Sequence, residues 1–189
     1  GYFSAGEKIV NLAYRAFNPI LVAVYPHITK IADAAKDIAI KKLRKLFVMV
    51  ILLSFTVFMG IFIFSGAIVA IALGPKFGPS VTIVRILSPL AFIVPVAYIF
   101  ANLALLPFKL DRYFARIYIF GGILNIVLLL TTLYLFKAGA AGVAFSVLIT
   151  QVTITTLMYI VLRRHGIKIV NMDVPSLLAV FEKKAIINN

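Results

Sequence analysis

From Leu46 to Leu73 the chain reads LFVMVILLSFTVFMGIFIFSGAIVAIAL, with no charged residue and no proline. A helix needs about 20 predominantly apolar residues to cross the hydrocarbon core of a bilayer, so this run predicts a membrane span. It ends at Gly74-Pro75-Lys76-Phe77-Gly78-Pro79-Ser80, a stretch of helix breakers too short for more than a turn between antiparallel neighbours. Working outward, Val81–Pro107, Ile117–Phe136 and Ala138–Leu162 are further runs of spanning length, and Phe108-Lys109-Leu110-Asp111-Arg112 makes a turn on the other side. Upstream, Ser4–Tyr25 is long enough to cross but carries Glu7, Lys8, Asn11, Arg15 and Asn18, so hydropathy alone scores it weakly.

Charge decides that first segment. Of 19 Lys and Arg, six fall in Pro26–Lys45, three in Phe108–Arg116 and five in Arg163–Asn189. The intervening segments Gly1–Lys8, Gly74–Ser80 and Lys137–Gly142 hold Lys8, Lys76 and Lys137 alone. The alternation is regular only if Ser4–Tyr25 also crosses. Lys and Arg accumulate in short cytoplasmic loops, which places the C-terminus in the cytoplasm and Gly1 on the outer face. The reading is an all-α integral membrane protein with spans at 4–25, 46–73, 81–107, 117–136 and 138–162. A segment at 26–45 has Ile28, Ile31, Ala35, Ile38 and Leu43 near helical spacing among lysines, the pattern of a helix lying in the cytoplasmic interface. The tail 163–189 contains a short amphipathic stretch, Pro175–Ile187. An odd number of spans beginning outside, with Gly1 in place of a start methionine and no secretory signal, leads us to expect a piece of a longer fold.

Composition agrees. A hydrophobic fraction of 63% and a mean hydropathy of +1.09 lie far above the roughly 45–50% apolar content of soluble domains. The pI near 10.2 does not indicate nucleic acid, because the basic residues sit at the ends of apolar runs, where they act as topology determinants and contacts for anionic lipids. No cysteine is present, and His27 and His165 stand apart, so neither thiolate chemistry nor a metal or other cofactor is expected.

The polar residues inside the spans are the candidates for function. A charge at mid-bilayer costs about 2.5–3.5 kcal/mol on insertion scales, so it usually faces water or a partner. Lys8, Asn11, Arg15 and Asn18 recur at i, i+3, i+7 and i+10, one stripe on a helix. This stripe is expected to face an aqueous cavity, against the alternative that Lys8 and Arg15 snorkel to the interface. Asn18 precedes Pro19 and is expected to fill a bend. In the third span Arg85, Ser88 and Asn102 fall near one face, and Pro89 and Pro95 interrupt the helix. Asn125 and Thr132 share a face of the fourth span with Gly121. In the fifth, Ala138, Gly142, Ser146 and Thr150 form a small-residue stripe suited to helix packing, and Gln151 and Thr155 make a weaker polar line. Glu7 is at the outer end of the first span, and no other acid enters a span. No acid, base or metal cluster for hydrolase or transferase chemistry can be assembled, and no large outward loop is available for a polymerase or ligase. A positive cavity suits an anionic cargo.

Several motifs carry a family resemblance. Gly1-Tyr2-Phe3-Ser4-Ala5-Gly6-Glu7-Lys8-Ile9 leading to Asn18-Pro19 and Tyr25-Pro26, Leu73-Gly74-Pro75-Lys76-Phe77 followed by Val84-Arg85-Ile86-Leu87-Ser88-Pro89-Leu90, and Ala138-Gly139-Ala140-Ala141-Gly142-Val143-Ala144 resemble, in order and spacing, the O-antigen flippases. These are polysaccharide biosynthesis proteins of the multidrug/oligosaccharidyl-lipid/polysaccharide exporter superfamily. The resemblance runs to about Lys168. It implies helices eight to twelve of a twelve-helix protein, most of the C-terminal six-helix lobe, in the bacterial inner membrane. It implies as cargo an undecaprenyl-diphosphate-linked oligosaccharide moved by alternating access. The missing N-terminal lobe, membrane lipids and a polysaccharide polymerase become the expected partners. Lys8, Arg15 and Arg85 would then attract the diphosphate, while Asn11, Asn18, Asn102 and Gln151 would line the cavity beside the glycan. Two alternatives stand beside it: a multidrug or small-cation exporter of the same superfamily, and a non-catalytic membrane fragment of the polysaccharide assembly machinery.

Overall fold

The computed structural model describes residues 1–135 and 139–170, and among them it is all helical. Pro175–Ile187 and Lys137 lie outside the described residues. Helices α1 (Tyr2–Arg15) and α2 (Asn18–Ala34) form the first segment, and α3 (Lys36–Leu73) the second. The third pass is built from α4 (Ser80–Leu87), α5 (Leu90–Tyr98) and a π-helical segment Ile99–Leu105. Helix α6 (Asp111–Leu130) runs into a π segment Thr131–Leu135, and α7 (Gly139–Arg164) is the last pass. Among the described residues, four helical stretches are long and apolar enough to cross a membrane: Lys36–Leu73, Ser80–Leu105, Asp111–Tyr134 and Gly139–Arg164. The first segment, which the charge alternation leads us to expect to cross, falls outside that set: it is split at Ala16–Phe17, just before Asn18-Pro19. Buried Phe17 closes the bend, whereas Asn18 is exposed as the first residue of α2 and makes no capping bond.

The segment 26–45 is divided rather than continuous. Helix α2 passes through Pro26 and stops at Ala35, whose backbone is extended (φ −154°, ψ 94°), and α3 starts at Lys36. Ile28 and Leu43 are buried in the bundle while Ile38 stays 53% exposed, so the apolar face seen in the sequence packs largely against protein. Pairing of α2 with α3 explains why both helices outrun the apolar runs that precede and follow the lysines.

The third pass shows how prolines are accommodated. Pro89 has no N–H to give the carbonyl of Arg85, and Ser88 Oγ donates to that carbonyl at 2.8 Å instead. Pro95 lies inside α5 a short way before the π segment, where bonds reach one residue further than in an α-helix. Helix α3 ends at Gly74, whose φ of +87° suits only glycine without strain; its N–H donates to Ala70 at 3.1 Å.

Side-chain contacts establish which loops share an end of the bundle. Lys36 Nζ donates to the carbonyl of His165 at 3.4 Å, Arg44 to that of Lys168 at 3.0 Å, and Lys109 pairs with Asp33 at 3.2 Å. These links join the three basic segments at one end. At the other, Ser80 Oγ donates to the carbonyl of Tyr2 at 3.0 Å and the Tyr2 ring meets Phe77 edge-on. The charge alternation in the sequence is therefore a real polarity of the fold.

Candidate functional site

Helix α1 is the element around which the polar residues are arranged. Gly6 brings it against α4 so closely that a Cβ there would lie 3.2 Å from Ile83 Cγ2. With Val10 buried on the same side, one face of α1 is sealed against α4 and α5. Lys8, Leu12 and Arg15 lie on the opposite face and are exposed, Leu12 to 73%. Asn18 is exposed at the start of α2.

Asn11 departs from that stripe. It is partly buried and lines a cavity of about 90 Å³ between α1, α4, α5 and α7, together with Glu7, Tyr14 and Gln151 over a floor that includes Leu87 and Leu90. The Tyr14 hydroxyl donates to Asn11 Oδ1. Asn11 and Gln151, far apart in sequence, are thus brought together. Glu7, placed by the sequence at the outer end of the span, is a wall of the same cavity. The line Glu7, Asn11, Tyr14 at i, i+4 and i+7 is a helical face that could have been read from the sequence; the neighbouring basic stripe drew attention away from it.

The remaining candidates sit elsewhere. Arg85 is on the α3 side of α4, where its Nε donates to the buried Ser65 Oγ at 2.8 Å. Ser65 follows Phe64, where α3 is kinked (φ −93°, ψ 15°). Asn102 is partly buried in the π segment, away from the Glu7 cavity. The small-residue stripe of α7 packs against α6: Asn125 Nδ2 donates to Thr150 Oγ1 at 3.2 Å, and Thr132 Oγ1 lies 3.1 Å from Ser146 Oγ. Gly142, Ser146 and Thr150 are buried there, the close approach that small residues permit between membrane helices.

A curated protein of Escherichia coli (strain K12) named "Putative O-antigen transporter" is 26% identical to this chain over 167 residues, which cover 87% of the chain and 39% of that relative. The chain is similar to an O-antigen transporter. This agrees with the flippase resemblance carried by the motifs around Gly1–Ile9, Leu73–Phe77 and Ala138–Ala144. No family model and no solved structure matches. With four helical stretches of spanning length and composition, the similarity identifies a multi-pass membrane protein.

Proposed function

We propose that this chain is part of a transporter that moves a lipid-linked oligosaccharide, carried on undecaprenyl diphosphate, from the cytoplasmic to the periplasmic leaflet of a bacterial inner membrane by alternating access. The observation that carries the reading is the exposed face of α1, where Lys8 and Arg15 lie at the surface near Asn18. Two cations on a membrane helix are costly unless water or an anion meets them, and a diphosphate supplies the anion. The name of the relative supports the cargo class. In this account α1 borders an aqueous path shared with a further lobe of the same protein, the basic end lies in the cytoplasm, and a polysaccharide polymerase receives the cargo outside. The step is transport, with no chemistry on the glycan.

Arg85 is given a different role from Lys8 and Arg15, because its Nε is committed to Ser65. Asn11 on α1 and Gln151 on α7 remain cavity residues, and Asn102 a residue of the π segment Ile99–Leu105.

The test is a deletion strain. Loss of the protein should halt surface polysaccharide and leave lipid-linked repeat units on the cytoplasmic leaflet. Normal surface polysaccharide together with raised sensitivity to cationic drugs would favour the exporter reading, for which the Glu7 carboxylate in a membrane helix is the supporting feature.

A further inference from the structure

We infer that the paired helices α2 and α3 hold the headgroup of an anionic membrane phospholipid between His27 and Lys30 of α2 and Lys42 and Lys45 of α3. Lys42 Nζ lies 2.8 Å from His27 Nε2. A lysine ammonium can only donate, so the imidazole accepts, and the bond ties the two helices together. It holds Lys42 in place while leaving two further N–H donors for a ligand. Lys30 is one turn from His27 and Lys45 one turn from Lys42, and all four residues are exposed.

Charge and depth decide what this surface accepts. Two acids lie close by in sequence. Asp33, a turn beyond Lys30, is paired with Lys109, and Asp37, five residues before Lys42, is about 140° away round α3 at 100° per residue. Three lysines and an imidazole thus face outward with a net positive charge, which attracts an anion. The apolar run of α3 begins at Leu46, about 6 Å along the helix from Lys42 at 1.5 Å per residue. The headgroup layer outside the hydrocarbon core is about 5–7 Å deep on each side, which sets Lys42 level with the lipid phosphates. Met49 and Leu53 stand within about 20° of Lys42 round the helix, deeper in the bilayer, and are 52% and 48% exposed. The cations therefore continue into an apolar surface at acyl-chain depth, which a phospholipid covers and a soluble phosphate leaves bare. Because His27 already holds Lys42, less side-chain freedom is lost when the phosphate binds.

This cluster is separate from Lys8 and Arg15 of α1, so the inference does not depend on the cargo assignment. These 189 residues contain no tryptophan, and Leu53→Trp adds a fluorescent reporter beneath the cluster. The test reconstitutes the intact protein in phosphatidylcholine vesicles and measures quenching of that reporter by chain-brominated phosphatidylglycerol against chain-brominated phosphatidylcholine, with the protein lacking the reporter as background. Phosphatidylglycerol should be preferred about fivefold or more at Leu53→Trp, the scale set by neutralising a basic residue near a lipid surface, and hardly at all at Ile123→Trp on α6. Adding Lys30→Gln and Lys42→Gln should abolish the preference, whereas Lys42→Arg should keep it. Removing two exposed charges elsewhere, with Arg112→Gln and Arg116→Gln, should leave it unchanged. Inorganic phosphate, replacing chloride at equal ionic strength, should not displace the lipid. Equal quenching by the two lipids at Leu53→Trp, an equal preference at Ile123→Trp, a preference that survives Lys30→Gln and Lys42→Gln or falls as far with Arg112→Gln and Arg116→Gln, or displacement by inorganic phosphate would overturn the inference.

Discussion

Gly121 of α6 faces Ile154 of α7 so closely that a Cβ built on the glycine would lie 2.3 Å from Ile154 Cδ1 and 2.6 Å from Cγ1. No side chain tolerates that distance without movement, and the hydrogen bonds from Asn125 to Thr150 and between Thr132 and Ser146 line the same seam. The α6–α7 contact is thus made by a missing side chain on one helix and buried hydroxyls on the other. Gly121→Val should destabilise the protein by about 1–3 kcal/mol through overpacking. Ile154→Val, which removes the offending Cδ1, should recover part of the loss when combined with it. Thermal unfolding in detergent, run as a double-mutant cycle, checks this: a coupled pair gives a double mutant less destabilised than the summed singles.

Arg85 and Ser65 form the second testable pair. The 2.8 Å bond from Nε ties α4 to the kink of α3. Ser65→Ala and Arg85→Ala should each cost about 0.5–1.5 kcal/mol and should not add, since both remove the same hydrogen bond. Surface polysaccharide should fall little in Ser65→Ala cells and heavily in Arg15→Ala cells at equal protein level. Equal losses would give Arg85 and its partner a share in cargo handling.

Much of this architecture could be read from residue type alone, and the exceptions have physical causes. Leu46–Leu73 declares itself because nothing in it interrupts an apolar helix. The start of the same helix at Lys36 is hidden, because hydropathy measures solvent preference while a helix needs only backbone continuity, and no proline or glycine intervenes before Gly60. The first segment is obscured for the opposite reason: its charges depress the apolar signal, and the helix is split at Ala16–Phe17, before Pro19. At the candidate site, the spacing of Lys8 and Arg15 placed both on one face. The same spacing put Asn11 in that stripe, although it lies on the shoulder of the helix, and the packing of Gly6 against Ile83 rotates it toward α7. Which side of α4 Arg85 takes depends on where α3 lies, and no local pattern encodes that.

The ion pair between Lys109 and Asp33 offers a contrast in magnitude. Its side chains are 82% and 58% exposed, so it joins the end of α2 to the turn before α6 without contributing much; exposed pairs are worth about 0–1 kcal/mol. Asp33→Asn should shift the melting temperature barely at all, and adding salt to the wild type should have equally little effect. A large loss would mean that Asp33 is held more firmly than its exposure allows.

Orientation can be checked through the basic end. Lys36, Arg44 and Lys109 meet His165, Lys168 and Asp33 there, and basic loops favour the cytoplasm. A fluorescent protein fused after Asn189 should be bright, and alkaline phosphatase fused at the same position should be inactive. The reverse pattern would invert the proposed topology.

The central claim is that the exposed face of α1 borders water rather than lipid, and Leu12 is the residue that separates the two. It lies between Lys8 and Arg15, is 73% exposed, and its apolar side chain has no means of reaching the interface by itself. Because these 189 residues contain no cysteine, single cysteines report cleanly here. A membrane-impermeant maleimide is added to membranes open on both sides, with Leu12→Cys and Arg15→Cys compared against Ile123→Cys, which is 58% exposed on α6, and against fully buried Leu103→Cys. The account predicts ready labelling at positions 12 and 15 and none at 123 or 103. Labelling at 15 with Leu12→Cys as inert as Ile123→Cys would contradict it, placing that face in lipid and leaving Arg15 to snorkel.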